Sequence, residues 1–477
     1  MKAKRLFIQT IGCQMNVYDS EQMRNRLAAS GYEETNDLSQ ADVIILNTCS
    51  IREKAEQKAF SFLGRLSGLK QQKPELVIAI GGCVAQQEGD RILGRMPHID
   101  LVFGTQAISR LPQLIARIQR SGSRLVDVKM SDSITAEDYT IGQYPRSDIS
   151  AFVTIMRGCD NYCTYCVVPY VRGRETSRRS EDIIEEIRCL VGQGIREVTL
   201  LGQNVNSYGK KEGLCSFDQL LKLVEAVEGL ERIRFTTSHP KDLSSDLMNV
   251  FNGLNKLCRH IHLPVQSGSD SVLKRMNRNY TIEQYLDKID VLRKTCPDIA
   301  ITSDIIVGFP GETELDYKAT LDLIDLVKFD GLFAFNYSDR PNAPANRFGQ
   351  KIPEDIKKER LNIVLDHQRA ITMAKHKAMV GTVHQVLVDG NSTSTSQRKH
   401  GVNGEEEEKF QWKGRTSANK IVHFDDVGES DSSNQSLTGR IMDIMITKAL
   451  PHCLLGQPMY PLHFNKPEGK GDLNDAT

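Results

Sequence analysis

Apolar and polar positions repeat with two different periods along this chain, and the changes of period divide it into three parts. Up to residue 125, short apolar runs alternate with stretches of helical spacing. Arg5–Ile11, Asp42–Asn47 and Glu75–Ile80 read as strands; Asp19–Ser30 carries Met23 and Leu27 one helical turn apart and stops at Gly31. Strands separated by helices predict a parallel sheet with helices on its faces, so residues 1–125 are expected to form an α/β domain. Residues 126–148 are polar, contain Ser, Gly and Pro, and read as a linker.

The alternation then resumes on a larger scale over residues 149–378. Six strands are predicted at Ala151–Met156, Glu197–Leu201, Arg232–Thr237, His260–Leu263, Ile299–Val307 and Gly331–Tyr337. Between them lie amphipathic segments such as Asp182–Val191, where Ile183, Ile184, Ile187, Leu190 and Val191 share a face and Ser180 is placed to cap. Six strands with crossover helices predict an open, partial (β/α)6 TIM-like barrel, closed by a charged amphipathic helix from Glu354 to Met379. From Gly381 the pattern shortens to Thr382–Val388, Ile421–Phe424 and Gly439–Ile446, which predicts a small antiparallel β-barrel over 379–450. Residues 390–414, rich in Ser, Thr and Gln and carrying Glu405–Glu408, read as a solvated hairpin insertion without chemistry; residues 466–477 read as a disordered tail.

Composition narrows the partners. The 477 residues carry 61 Lys and Arg against 61 Asp and Glu, a formal net charge of zero, so any nucleic-acid site must be a local basic patch. No apolar run approaches the ~18 residues of a membrane span, and the basic start of the chain reads as the first strand rather than a signal peptide. A cytoplasmic protein with no membrane partner is expected. Eleven cysteines in a reducing compartment point to metal or redox chemistry rather than disulfides.

Six of those cysteines form two groups of three. Cys159, Cys163 and Cys166 lie on one short loop after the apolar stretch that starts at Ala151. A closed zinc site takes four ligands. Three thiolates on a four-iron cluster leave one iron open to another ligand. A zinc knuckle completed by a distant residue is the alternative. Cys13, Cys49 and Cys83 are far apart in sequence, yet each follows a predicted parallel strand and a small residue, Gly12, Thr48 or Gly82. Loops at the carboxyl ends of neighbouring parallel strands converge on one crevice, so these thiols are expected to meet. The other reading is three separate buried cysteines. Cys189, Cys215, Cys258, Cys296 and Cys453 lack such placement and read as packing residues.

The two triads with their flanks, Gly12–Asn16, Asn47–Glu53 and Gly158–Tyr170, together with Thr237–Pro240 and His262–Ser269, resemble the radical S-adenosylmethionine (SAM) methylthiotransferases over nearly the whole chain, closest to the branch acting on isopentenylated tRNA. The resemblance implies two [4Fe-4S] clusters: a radical-SAM cluster on Cys159, Cys163 and Cys166, and an auxiliary cluster on Cys13, Cys49 and Cys83. It implies that reductive cleavage of SAM yields a 5′-deoxyadenosyl radical, which activates C2 of N6-isopentenyladenosine beside the anticodon. A methylthio group from the auxiliary cluster then replaces the C2 hydrogen. It further implies a terminal RNA-binding TRAM barrel, a low-potential flavodoxin- or ferredoxin-like electron donor, and a monomer. The acidic insertion departs from the family pattern. The same chemistry on threonylcarbamoyladenosine of tRNA or on a ribosomal-protein aspartate is the nearest alternative; a zinc-stabilised, non-catalytic RNA-binding protein is the alternative from another class.

Beyond the cysteines, the candidates follow strand ends. Gln203 and Asn204 follow a barrel strand where the superfamily contacts SAM; an ordinary turn is the other reading. Gln266 and Ser267 lie past another strand and face SAM or base, and Tyr165 packs near the SAM adenine or shields the cluster. Val307–Thr313 is either the loop beside the adenine or a tight turn into the next helix. For RNA, the run with Arg172, Arg174, Arg178 and Arg179 follows the cluster loop directly and is a candidate phosphate contact or a solvated loop. Lys413, Arg415, Lys420 and Arg440 are a second basic set. Trp412 receives no role.

Overall fold

Val43–Thr48 and Val77–Gly82 are buried at every position, as parallel strands covered on both faces must be. The computed structural model describes residues 3–50, 53–131, 134, 139, 142, 148–392, 399–400, 406–407, 411–425 and 436–459. The chain divides into two compact units, one of residues 1–375 with 417–419 and one of residues 376–416 with 420–477.

The first unit opens with strands β1 (Lys4–Ile11), β2 (Tyr32–Glu34), β3 (Val43–Thr48), β4 (Val77–Gly82), β5 (Leu101–Phe103) and β6 (Leu125–Asp127) in one parallel sheet of order β2-β1-β3-β4-β5-β6. Helices α1 (Gln14–Ala28), α2 (Glu53–Gln72), α3 (Cys83–Glu88), α4 (Asp90–Arg95) and α5 (Leu111–Ser121) connect them. The period of two in the strands sets which helix meets which face. Val43, Ile45, Val77 and Ala79 pack on Met23 and Leu27 of α1 and on Leu111, Ile115 and Ile118 of α5. Ile44, Leu46, Ile78 and Ile80 face the other way, onto Ala59, Leu63 and Leu66 of α2. Full burial of each Val, Leu, Ile or Met among them stabilises the domain by about 1.5–3 kcal/mol. The sheet is longer than periodicity predicts: β6 pairs with β5, so the first residues of the expected linker belong to the sheet.

The barrel strands β7 (Ser150–Thr154), β10 (Glu197–Leu201), β11 (Arg232–Phe235), β12 (His260–His262), β13 (Ala300–Val307) and β14 (Gly331–Asn336) fall at the six predicted positions. They form two parallel sheets, β11-β10-β7 and β12-β13-β14, with bridges Ile233 to Leu257 and Gln266 to Ile305 extending the curvature. Between β7 and β10, β8 (Met156–Arg157) pairs antiparallel with β9 (Thr176–Ser177) and closes the base of the loop that carries Cys159, Cys163 and Cys166. Within that loop lies the short helix α6 (Val168–Arg172). The helix Glu354–Ala378 matches its prediction to within a residue.

In the second unit, β15 (Val383–Asn391), β18 (Gln411–Thr416), β19 (Ile421–Asp425), β20 (Ile441–Ala449) and β21 (Leu454–Pro458) form a closed barrel of order β15-β18-β19-β21-β20. Two expectations are corrected here. The barrel extends past 450 to include β21, and β19 pairs with β21 in parallel, so the barrel is not purely antiparallel. The expected insertion also starts later and ends earlier. Gly390 and Asn391 pair with Lys413 and Trp412 across a bulge, and Trp412 packs against the barrel core. Two short strands, β16 (Lys399–His400) and β17 (Glu406–Glu407), pair inside it; the rest of the insertion and the tail from 466 lie outside the described residues.

Candidate active site: two cysteine triads and a polar barrel mouth

Cys13 caps α1 with only Gly12 between it and β1, Cys49 follows the last residue of β3, and Cys83 starts α3 directly after β4. β1, β3 and β4 are adjacent in the sheet, so the three thiols stand at one edge. The Cys49 thiol lies between the other two. Its hydrogen bond, with help from the Arg172 charge and against burial, lowers Cys13 to about 6 and Cys83 to about 7. Cys49 itself is pushed up by those same contacts and by burial.

The backbone around the triad is tightly specified. Gly82 has φ +89°, and a Cβ there would stand 2.3 Å from the Thr48 carbonyl oxygen. Asn16 Nδ2 donates to Asn47 Oδ1 (3.1 Å) and to the Thr48 carbonyl (3.1 Å), while Asn47 Nδ2 donates to the Asn16 carbonyl (2.8 Å) and to Ser20 Oγ (2.9 Å). This buried network ties the Cys13 turn to the Cys49 strand. Both asparagines sit inside recognised motifs, yet only the fold reveals their pairing. Ile51 and Arg52, which follow Cys49 and Ser50, lie outside the described residues.

In the second triad every sulfur accepts from a nearby donor. Asn161 Nδ2 is 3.6 Å from Cys159 Sγ, the Val168 amide is 3.4 Å from Cys166 Sγ, and an Arg278 guanidinium nitrogen is 3.6 Å from Cys163 Sγ. Such bonds favour thiolates, the form that ligates metal. Burial pushes the Cys159 thiol up to about 11 and the Cys166 thiol up to about 12. Gly158 precedes the triad at φ +74°, where a Cβ would meet the Arg174 carbonyl oxygen at 2.0 Å. Arg278, buried, also donates to the Tyr280 hydroxyl (3.0 Å) and the Pro264 carbonyl (2.5 Å). Sequence reasoning missed it. Its signal was Asn277 and Asn279, both at positive φ, which mark a tight bend that aims the arginine inward. The two triads are neighbours: Cys83 packs in one apolar cluster with Val167, next to Cys166, and with Val171.

At the carboxyl ends of the barrel strands stand buried polar atoms without a hydrogen-bond partner among the described residues: Gln203 Nε2, Asn204 Oδ1 and Asn206 Oδ1 after β10, Ser238 Oγ and His239 Nε2 after β11, and Asn336 Oδ1 on β14. Unpaired buried polar atoms are costly, and a set of them at a barrel mouth fits a polar ligand. Gln203 Oε1 accepts from the Gly158 amide (2.5 Å), tying this mouth to the cysteine loop; Asn204 Nδ2 donates to Asp242 (2.8 Å). Tyr165 packs with Val272, Met276, Phe309 and Tyr337. Gln266 lies at φ +75° with its backbone in the β13 ladder, and Ser267 Oγ sits 3.4 Å from Thr320 Oγ1. Val307–Thr313 forms a tight turn: Gly308 donates to Glu312, Glu312 pairs with Arg360, and Thr313 caps the helix Glu314–Val327.

The basic run separates into two kinds. Arg172 and Arg178 are 6% and 5% exposed and paired with Asp19 (2.7 Å) and Glu186 (2.6 Å), so neither guanidinium is free to meet a phosphate; their expected RNA role is corrected. The side chains of Arg174 and Arg179 are 62% and 70% exposed, Arg174 lying on Asp160 and Arg179 near Glu181. Of the five other cysteines, Cys258 and Cys296 are buried as expected, but Cys189 is exposed on its helix and does not pack.

Residues 5–104 match the Uncharacterized protein family UPF0004, and residues 153–324 match the Radical SAM superfamily. The tRNA-2-methylthio-N(6)-dimethylallyladenosine synthase of Desulfosudis oleivorans is 51% identical over 99% of this chain and 100% of its own. That of Geotalea uraniireducens is 49% identical over 96% and 99%. The chain belongs to this synthase family. The synthase fold also resembles the radical S-adenosylmethionine methyltransferase TsrM of Kitasatospora setae, solved with tryptophan and a SAM analogue, at TM-score 0.55 and 13% identity over 72% of this chain and 75% of that one. Among the described residues of this synthase, no three or more His, Cys, Asp or Glu side chains are grouped to hold a single metal ion. No helix among them is long and apolar enough to cross a membrane.

Proposed function

We infer that this chain is a two-cluster methylthiotransferase that replaces the C2 hydrogen of N6-isopentenyladenosine beside the anticodon of tRNA with a methylthio group. The observation that carries the reading is the adjacency of two three-cysteine sets, with Cys83 packed against the residue that follows Cys166, in a chain matching the synthases end to end. Three thiolates per set suit a [4Fe-4S] cluster with one open iron. When bound, the clusters and SAM supply the radical and sulfur chemistry that a C2–H, too weakly acidic for a general base, requires.

The chain's own residues do the rest. Asn161, Arg278 and the Val168 amide hold the sulfurs of the radical-SAM set, with Lys241 Nζ fixing Asn161 Oδ1 at 2.5 Å. Gln203, Asn204 and Asn206 offer one donor and two acceptors for the polar end of SAM. His239 Nδ1 accepts from the Lys241 amide (3.1 Å), so its buried Nε2 carries the proton and is a donor for a ligand nitrogen or oxygen. Gln266 and Tyr165 complete the proposed SAM site. Phosphate contact falls to Arg174 and Arg179, and to Lys413 and Arg415, two residues apart on β18. An anticodon-loop base is already single-stranded, so it enters without melting a duplex. A flavodoxin- or ferredoxin-like donor, a monomeric chain and a cytoplasmic location complete the reading.

The test is anaerobic incubation of reconstituted protein with SAM, reductant and isopentenylated tRNA, followed by mass spectrometry of the nucleosides. A methylthio gain on isopentenyladenosine is expected. Product on threonylcarbamoyladenosine or on a ribosomal-protein aspartate instead would move the substrate; colourless protein with no SAM turnover would return the zinc reading. Cys13→Ala is expected to abolish methylthiolation while SAM cleavage persists.

A further inference from the structure

Arg172 ends α6, the helix that starts two residues after Cys166. Its guanidinium donates to Asp19 Oδ2 at 2.7 Å, and both side chains are 8% exposed. Asp19 lies on α1, whose cap is Cys13. The contact therefore joins the loop of one triad to the helix that begins at the other. The end of α6 is held twice more: Thr105 Oγ1 donates to the Val171 carbonyl (2.8 Å), and Gln106 Nε2 reaches the Arg172 carbonyl (3.4 Å). Val167 and Val171 bring the same helix onto Cys83.

A buried ion pair contributes little net stability and is often replaceable by apolar side chains. Here the cation also acts beyond its carboxylate. It ends α6, which packs through Val167 and Val171 on Cys83, and its partner Asp19 lies on the helix that Cys13 caps, so its charge stands beside the first triad. An auxiliary cluster on three thiolates gains negative charge on reduction, and a fixed cation beside it stabilises that state.

We propose that Arg172, held in place by Asp19, is a positioning residue for the auxiliary cluster that raises its reduction potential and fixes it against the radical-SAM loop. This rests on the reading that Cys13, Cys49 and Cys83 hold iron and sulfide.

The experiment uses the full-length C159A/C163A/C166A chain, in which only the auxiliary cluster can assemble, with iron and sulfide analysis and a potential titration followed by electron paramagnetic resonance. R172M is expected to lower the reduced-to-oxidised ratio at a given potential at least tenfold, about 59 mV for one electron. D19N, which leaves the cation unopposed, is expected to move it the other way, and R172K to stay near the parent. Opposite shifts in R172M and D19N separate a charge effect from structural damage, which has no reason to reverse sign. Unchanged midpoints, shifts of the same sign, or loss of iron from both variants while the parent keeps it would overturn the proposal. A parent without iron would overturn the reading beneath it instead.

Discussion

Arg278→Met separates what the chain needs in order to fold from what it needs in order to hold a cluster. Arg278 is a buried cation whose partners are a phenol, a carbonyl and the Cys163 sulfur; no carboxylate is among them. Burying a charge without an anion costs several kcal/mol, whereas each hydrogen bond from a charged donor returns about 1.5–3 kcal/mol. In the protein without iron, removing the arginine relieves the first term and forfeits the second, so urea unfolding should change by less than about 2 kcal/mol. With thiolates in place the balance alters, because the guanidinium then faces an anionic sulfur. Losing that one contact, about 1.5–3 kcal/mol, should weaken retention of the radical-SAM cluster roughly ten- to a hundredfold at 1.4 kcal/mol per decade. Challenge with an iron chelator, followed by visible absorbance in a C13A/C49A/C83A background, measures this. Arg278→Lys keeps the charge but not the fork that spans three acceptors and should fall between. Unaltered retention in R278M, or a loss above about 4 kcal/mol in the iron-free chain, would refute the reasoning.

Gly82→Ala places a Cβ 2.3 Å from the Thr48 carbonyl oxygen at φ +89°; it should cost at least about 2 kcal/mol in urea unfolding and remove iron from the Cys13 set alone, and full iron content would contradict this. Burial, reinforced by Arg278, Lys241 and Lys288, holds His239 far below its ordinary range. Below the unfolded value of about 6.5 the unfolded chain takes up a proton that the folded chain refuses, so stability should fall with pH by about 1.4 kcal/mol per unit. His239→Gln should lack that slope between about pH 6.5 and 5, and parallel pH–stability curves would refute the assignment. Arg179→Ala should reduce the salt dependence of tRNA binding by about one phosphate contact; an unchanged slope in a binding titration across salt concentrations would remove Arg179 from the interface.

Much of the fold is legible because its strands are buried on both faces and flanked by clear breaks. Glu197–Leu201 ends where its apolar run ends. The three-residue strands β2, β5 and β6 are too short to show a period, and β21 contains Gly456 and Pro458, residues that weaken a strand reading. Parallel pairing of β19 with β21 is a tertiary fact that neither strand's sequence carries. The convergence of Cys13, Cys49 and Cys83 was legible for a topological reason, since adjacent parallel strands deliver their carboxyl ends to one edge.

The arginines show where that reasoning stops. Along the chain, Arg172, Arg174, Arg178 and Arg179 look alike: four cations within eight residues, directly after a cluster loop. Their fates depend on carboxylates that local sequence does not connect to them. Asp19 is 153 positions from Arg172, and Glu186 reaches Arg178 only because the helix Ser180–Gly192 folds back beside β7. An arginine stem is long enough to reach either water or a buried acid, so its charge alone does not say which. The consequence bears on RNA affinity. With two of the four charges neutralised inside the protein and Arg174 already lying on Asp160, this run contributes far fewer phosphate contacts than its composition suggests. In a chain of zero net charge the remaining electrostatic attraction for tRNA must then come from other surfaces, and on β18 Arg415 too stands beside an acid, Asp389 at 3.7 Å.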